Sequence, residues 1–201
     1  MKRDFKYCRL WMACMMMGAT LTFTACSDDD EPTPTEPKVE DVYGDYTGTM
    51  ISKVAEVTTE ADESEETEGI AIDATVRNDT VYFNDFPVRD LIASVVGEES
   101  ADQIVEAIGT VSYKVGYKAS MTAAQDSVYM EMSPKALELT LPVDEENTMT
   151  VSVEISAANK GNYEFETQNL NMELKAEKVL VNEQEFPTFP ATDFIFEMKK
   201  K

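Results

Sequence analysis

Histidine is absent from all 201 residues. That removes Ser-His-Asp and Cys-His catalysis, and with them the usual ligand sets for zinc, copper and non-haem iron. No Ser-x-x-Lys occurs either, which excludes a β-lactamase-type nucleophile. Cysteine is scarce: Cys8, Cys14 and Cys26 are the full set. Beyond residue 26 there is neither a thiol nor a disulfide, so the rest of the chain must be held by its apolar core alone. Positive charge is equally thin, with 17 basic against 39 acidic side chains and a formal charge of −22. Such a surface repels phosphate, so no nucleic-acid partner is expected. No catalytic constellation stands out, no cofactor is implied, and a non-enzymatic role is expected.

What is present begins with three N-terminal zones. Lys2, Arg3, Lys6 and Arg9 form a positive start, and Leu10 to Thr24 is apolar or small. That run is shorter than the ~20 residues a spanning helix needs and suits a secretory signal peptide. Leu21-Thr22-Phe23-Thr24-Ala25-Cys26 resembles a lipobox, with Phe23 where leucine is usual. The resemblance implies cleavage after Ala25 and a lipid anchor on Cys26, which would be the chain's partner contact with a membrane. Loss of residues 1–25 removes Lys2, Arg3, Lys6, Arg9 and Asp4, leaving 13 basic and 38 acidic residues. The resulting charge of −25 argues against docking on anionic lipid, so acyl chains would do the anchoring, and two or more are needed for a stable hold.

Residues 26–38 read as a tether. Ser27-Asp28-Asp29-Asp30-Glu31 is a solvated acidic block and resembles the surface-export signal of Bacteroides-type lipoproteins. Pro32, Pro34 and Pro37 favour an extended chain, and at ~3.1 Å per residue Ser27 to Lys38 spans roughly 35 Å. The implied address is the outer membrane, facing the cell surface.

From Val39 to Lys201 period-two alternation dominates and predicts an antiparallel sheet with one covered face. The clearest strands run from Ile70, Val111, Leu137, Met149 and Leu170; weaker ones cover Tyr46–Val57, Thr80–Asn84, Asp126–Ser133, Tyr163–Thr167 and Asp193–Met198. Arg77-Asn78-Asp79, Asp144–Asn147 and Asn159–Asn162 carry turn chemistry. Strands joined this way suggest up-and-down hairpins curling into a barrel or strongly bent sheet. Residues 87–109 break the pattern. Leu91, Ile92, Val95 and Val96, then Ile104, Val105 and Ile108, have helical spacing, so two short helices are expected there. Gly97 and Gly109 sit where helices stop, and Ser100 with Gln103 suggests a capping box. The insertion should plug a barrel end or cover a sheet edge.

Val42-Tyr43-Gly44-Asp45-Tyr46-Thr47-Gly48-Thr49-Met50 is similar to the first strand of the lipocalin-like (calycin-like) domains of Bacteroides lipoproteins. With Phe86-Pro87 and the helical insertion, the chain resembles a family of such lipoproteins. The likeness implies a fold and an address, and brings no active-site residues with it.

Four further features carry candidate chemistry. The acidic run Glu56–Glu68 offers carboxylates to calcium but lacks the Asp-x-Asp-x-Asp-Gly spacing, so a solvated hairpin loop is expected and no metal site. The many carboxylates include no pair that sequence can place across a glycosidase cleft. Tyr113, Tyr117, Phe194 and Phe196 fall on covered strand faces, where they either line a pocket for an apolar ligand or fill the core. Asp79-Thr80-Val81 and Asp126-Ser127-Val128 resemble a bacterial O-glycosylation motif, with Val81 and Val128 facing in and Thr80 and Ser127 facing out. Two roles follow: a binder of a small apolar or glycan-derived ligand, or a filled barrel working through its outer surface.

Overall fold

A computed structural model describes residues 36–54, 69–143 and 147–201. The expected signal peptide, Cys26, the export signal and the acidic run 56–68 lie outside the described residues.

A 3₁₀ turn, Val39–Val42, leads into β1 (Gly44–Val54), β2 (Ile70–Arg77) and β3 (Thr80–Phe83). Helices α1 (Arg89–Val96) and α2 (Glu98–Ile108) follow. Then come β4 (Tyr113–Met121), β5 (Ser127–Ser133), β6 (Leu137–Pro142), β7 (Thr148–Ser156), β8 (Gly161–Glu164), β9 (Asn169–Val181), β10 (Gln184–Glu185) and β11 (Thr192–Lys200). Each pairing is antiparallel, and the order β1-β2-β3-β4-β5-β8-β9-β11 returns to β1, closing an eight-stranded barrel. The barrel and the two-helix insertion agree with the sequence expectation.

Two of the eight staves are long and broken. β5 continues as β6, and β7 continues as β8, so β6 and β7 rise beyond the barrel beside the far half of β9. Asn159–Asn162 is therefore not a reversal: β7 and β8 run in the same direction along one edge of β9. The reversal comes six residues later, where Gln168 adopts φ 59° and its N–H bonds Glu164 O. Turn-forming side chains at 159–162 make a kink because β9 supplies a ladder on both sides of it. β9 itself carries a bulge. Ile155 faces Ala176 and Glu154 faces Lys178, so Glu177 is the extra residue and the inward parity shifts from Ala176 to Val179.

The raised sheet exposes Leu137, Leu139, Leu141, Val151, Val153 and Val179 on one face, and all are buried in the same core as α1. α2 packs on β6 and turns Ala101, Ile104, Val105 and Ile108 inward, spaced i, i+3, i+4, i+7. The insertion thus covers the apolar face of an extension that has no opposite barrel wall. Gly97 ends α1 at φ 87° and also begins α2, so Ser100 lies inside the first turn and is not the cap. Only glycine takes that φ cheaply, and the connection is too short for a separate Ser cap. Arg89 joins the two helices, bonding Asp102 at 2.7 Å and Glu98 at 3.0 Å.

The two ends of the barrel differ. One holds the 3₁₀ turn, the Asn78-Asp79 turn, residues 122–126 and 165–168, and the last residues of β11. Here Val42 is buried, Tyr43 Oη donates to Asp79 (2.9 Å), Tyr46 Oη donates to Val42 O, and Lys200 Nζ donates to Asp41 O (2.6 Å). The opposite end carries the end of β1, the start of β2, the helical insertion and residues 182–191.

Candidate functional site

Three of the four aromatic candidates meet inside the barrel. Phe194 and Phe196 alternate inward from β11 and are fully buried, as is Phe83 on β3. Phe86 follows a bend at Asn84-Asp85 and folds back into the interior, its N–H bonding Val111 O at 2.7 Å. It is the hub: its ring lies 5.1 Å from Tyr113, 6.0 Å from Phe194, 5.6 Å from Phe83 and 6.4 Å from Phe196. Phe83 and Phe196 stack at 5.2 Å. Tyr113 donates its hydroxyl to Lys135 O at 2.7 Å, and burial pushes its pKa up. These rings contact one another, and edge-to-face and offset contacts of this kind add to simple burial. Sequence reasoning missed Phe86 because it lies outside any alternating run, though its place just after β3 and before Pro87 marks a chain leaving the sheet.

Tyr117 is apart from this group. It reaches the end that carries the 3₁₀ turn, where Tyr43 and Asp79 are near and burial raises its pKa; its hydroxyl has no partner among the described residues. Tyr46 and Tyr163 sit edge-to-face at 6.2 Å at the same end, and burial raises both pKa values.

The two triplets that resemble an O-glycosylation motif lie where β3 and β5 begin. Thr80 and Ser127 are the first residues of β3 and β5, each half-buried, while Val81 and Val128 are fully buried. Both motif aspartates are engaged. Asp79 accepts from Tyr43, and Asp126 accepts from Thr122 at 2.7 Å. Hydrogen bonds from Thr122 and Ser127 hold the Asp126 carboxyl below its usual pKa. Among the described residues, no group of three or more Asp, Glu, Cys or His could hold a metal, and no helix is long and apolar enough to cross a membrane.

A feature not foreseen lies on the outer wall. A groove of about 390 Å³ crosses β1, β11 and β9, lined by Thr47, Thr49, Asn169, Asn171, Glu197 and Lys199 with Gly48 and Met198 between them. Its residues sit far apart in sequence on faces that read simply as wet, so nothing in the alternation singles them out. Gly48 is required there: an added Cβ would stand 2.0 Å from Glu197 O and 2.6 Å from Met198 Cα.

Fold and site together define a closed up-and-down β-barrel with a helix-covered extension, an aromatic interior and a polar groove on its wall. The chain belongs to the family described as Domain of unknown function (DUF4840), whose model matches residues 41–181, from the 3₁₀ turn through β9. β11, which closes the barrel, lies beyond that match. Neither the curated proteins nor the solved structures include a match to the chain.

Proposed function

We propose that this protein is a lipoprotein, held in the outer membrane through Cys26, whose barrel acts non-catalytically through its outer surface and not through an internal ligand pocket. The observation that carries the second half is the mutual packing of Phe83, Phe86, Phe194, Phe196 and Tyr113, which fill the interior with each other's rings. A lipocalin-type ligand would need that volume. The first half rests on the charged start, apolar run and Leu21–Cys26 motif. Thr80 and Ser127, at the starts of β3 and β5, would carry glycan.

The test is fractionation in a native-type host. Cys26→Ala should leave unprocessed precursor and release the protein from membranes. A variant that matures and still sediments with membrane would refute the anchor. Intact-mass spectra of the purified wild type should show glycan lost on Thr80→Ala and Ser127→Ala.

A further inference from the structure

We propose that the groove across β1, β11 and β9 binds a neutral oligosaccharide lying across the strands. The inference rests on the outer-surface reading above and names the ligand class.

The register places the groove's side chains in two parallel rows. Thr47 faces Lys199, which faces Asn169; Thr49 faces Glu197, which faces Asn171. The second row runs on. Asn171 faces Asn162 on β8, and Asn162 faces Tyr129 on β5. Thr49 to Tyr129 is four strand-to-strand steps, about 19 Å at ~4.8 Å each, which suits a short oligosaccharide better than a single sugar.

The chemistry of the rows fits a polyol. A sugar hydroxyl both donates and accepts, and so do Asn and Thr side chains. Among the described residues, the side chains of Thr49, Asn169, Asn171, Glu197 and Lys199 make no hydrogen bond or ion pair within the protein. On the same outer wall nearby, polar groups are paired across strands: Lys178 with Glu154 at 3.0 Å, Asn159 with Glu173 at 2.8 Å, and Lys201 with Asp73 at 3.0 Å. The groove therefore presents its donors and acceptors outward. Its one carboxylate and one ammonium balance, so the groove offers an ionic ligand no net countercharge, and the chain's −22 repels an anionic one. Apolar contact is at hand for the C–H faces of a sugar ring. Tyr129 is 45% exposed at the end of the row, and Ile51 and Ile195, half-buried and paired, flank it on the side away from Lys199.

The full chain, purified in detergent, is titrated with maltotetraose, xylotetraose, mannotetraose, tetragalacturonate and laurate while its amide NMR spectrum is followed. At least one neutral tetrasaccharide should shift the amides of Thr47, Thr49, Asn169, Asn171 and Glu197 saturably. Asn171→Ala and Tyr129→Ala should each weaken that binding about ten-fold without moving the unfolding midpoint, since both side chains are exposed. The proposal is overturned if none of the three neutral sugars shifts the groove, if both variants bind like wild type, or if tetragalacturonate binds as tightly. Laurate shifting the amides of Phe194 and Phe196 would overturn the outer-surface reading itself, which separates the two failures.

Discussion

Truncating Phe196 to alanine asks whether the barrel is filled. Phe196 is fully buried, stacked on Phe83 at 5.2 Å and tilted against Phe86 at 6.4 Å. Removing such a ring costs its transfer free energy plus a term for the hole left behind, together about 3–5 kcal/mol. The neighbours cannot collapse easily into the hole. Phe86 is held by Tyr113 and Phe194, and Phe83 is fixed in a strand paired on both sides. The loss should therefore fall in the upper half of that range, about 4 kcal/mol or more. Had the ring bordered an existing pocket, truncation would only enlarge a void already present, and roughly 1.5–3 kcal/mol for the lost burial would be the whole effect. Urea unfolding followed by far-UV circular dichroism, with wild type and variant compared at equal slope, reads the difference directly. A loss below about 3 kcal/mol with an unchanged slope would refute the filled interior.

High pH should unfold the protein cooperatively. Burial raises the pKa of Tyr46, Tyr113 and Tyr117, so the folded state keeps protons that the unfolded chain releases; their contribution is whole below the unfolded value near 10.0 and is lost as pH rises above it. Tyrosinate absorbance and circular dichroism should change together, and smooth titration of all tyrosines without unfolding would contradict this. Gly48→Ala should be severely destabilising, because its Cβ would meet the β11 backbone at 2.0 Å, whereas Gly116→Ala, with its nearest neighbour at 3.9 Å, should shift the thermal midpoint little. Equal shifts would show that the close approach of β1 and β11 is not rigid. Glu183 sits at φ 66° in a two-residue turn with Asn182 at φ 49°; Glu183→Gly should stabilise by up to about 1 kcal/mol in urea melts, and a loss of stability would show that its side chain matters more than its backbone.

Much of this barrel could be read from the chain because most strands cover only one face. Ile70–Arg77 and Met149–Ser156 alternate cleanly, and both are strands with the expected side buried. Reading failed where two strands had to be considered at once. The alternation that seems to stop at Glu177 continues in β9 after a bulge, a fact visible only against β7. Asn159–Asn162 has the composition of a turn, but whether such a segment reverses or kinks depends on what runs beside it. β10 was missed for a related reason. It is two residues long and is made by the Asn182-Glu183 turn, with neither glycine nor alternation to announce it. For the candidate site the limit was sharper. Alternation assigned Tyr113, Tyr117, Phe194 and Phe196 to the inside, yet whether rings meet each other or a ligand depends on Phe86, which no period predicts. The wall groove is a product of register across β1, β11 and β9, and register is not written in any one strand.

The seam that closes the barrel also sets the order in which it can form. β11 lies between β1 and β9, so Tyr46 waits for Lys200 and Met50 for Phe196 before either edge is covered. Contacts this distant along the chain exact a large loop entropy before they reward it, and folds dominated by them form in milliseconds to seconds. The helical insertion and the local hairpins can assemble early, but the aromatic interior stays open to water until Thr192–Lys200 arrives. Until that strand docks, β1 and β9 are two open edges with unpaired N–H and C=O groups, each able to accept any extended segment that reaches it first.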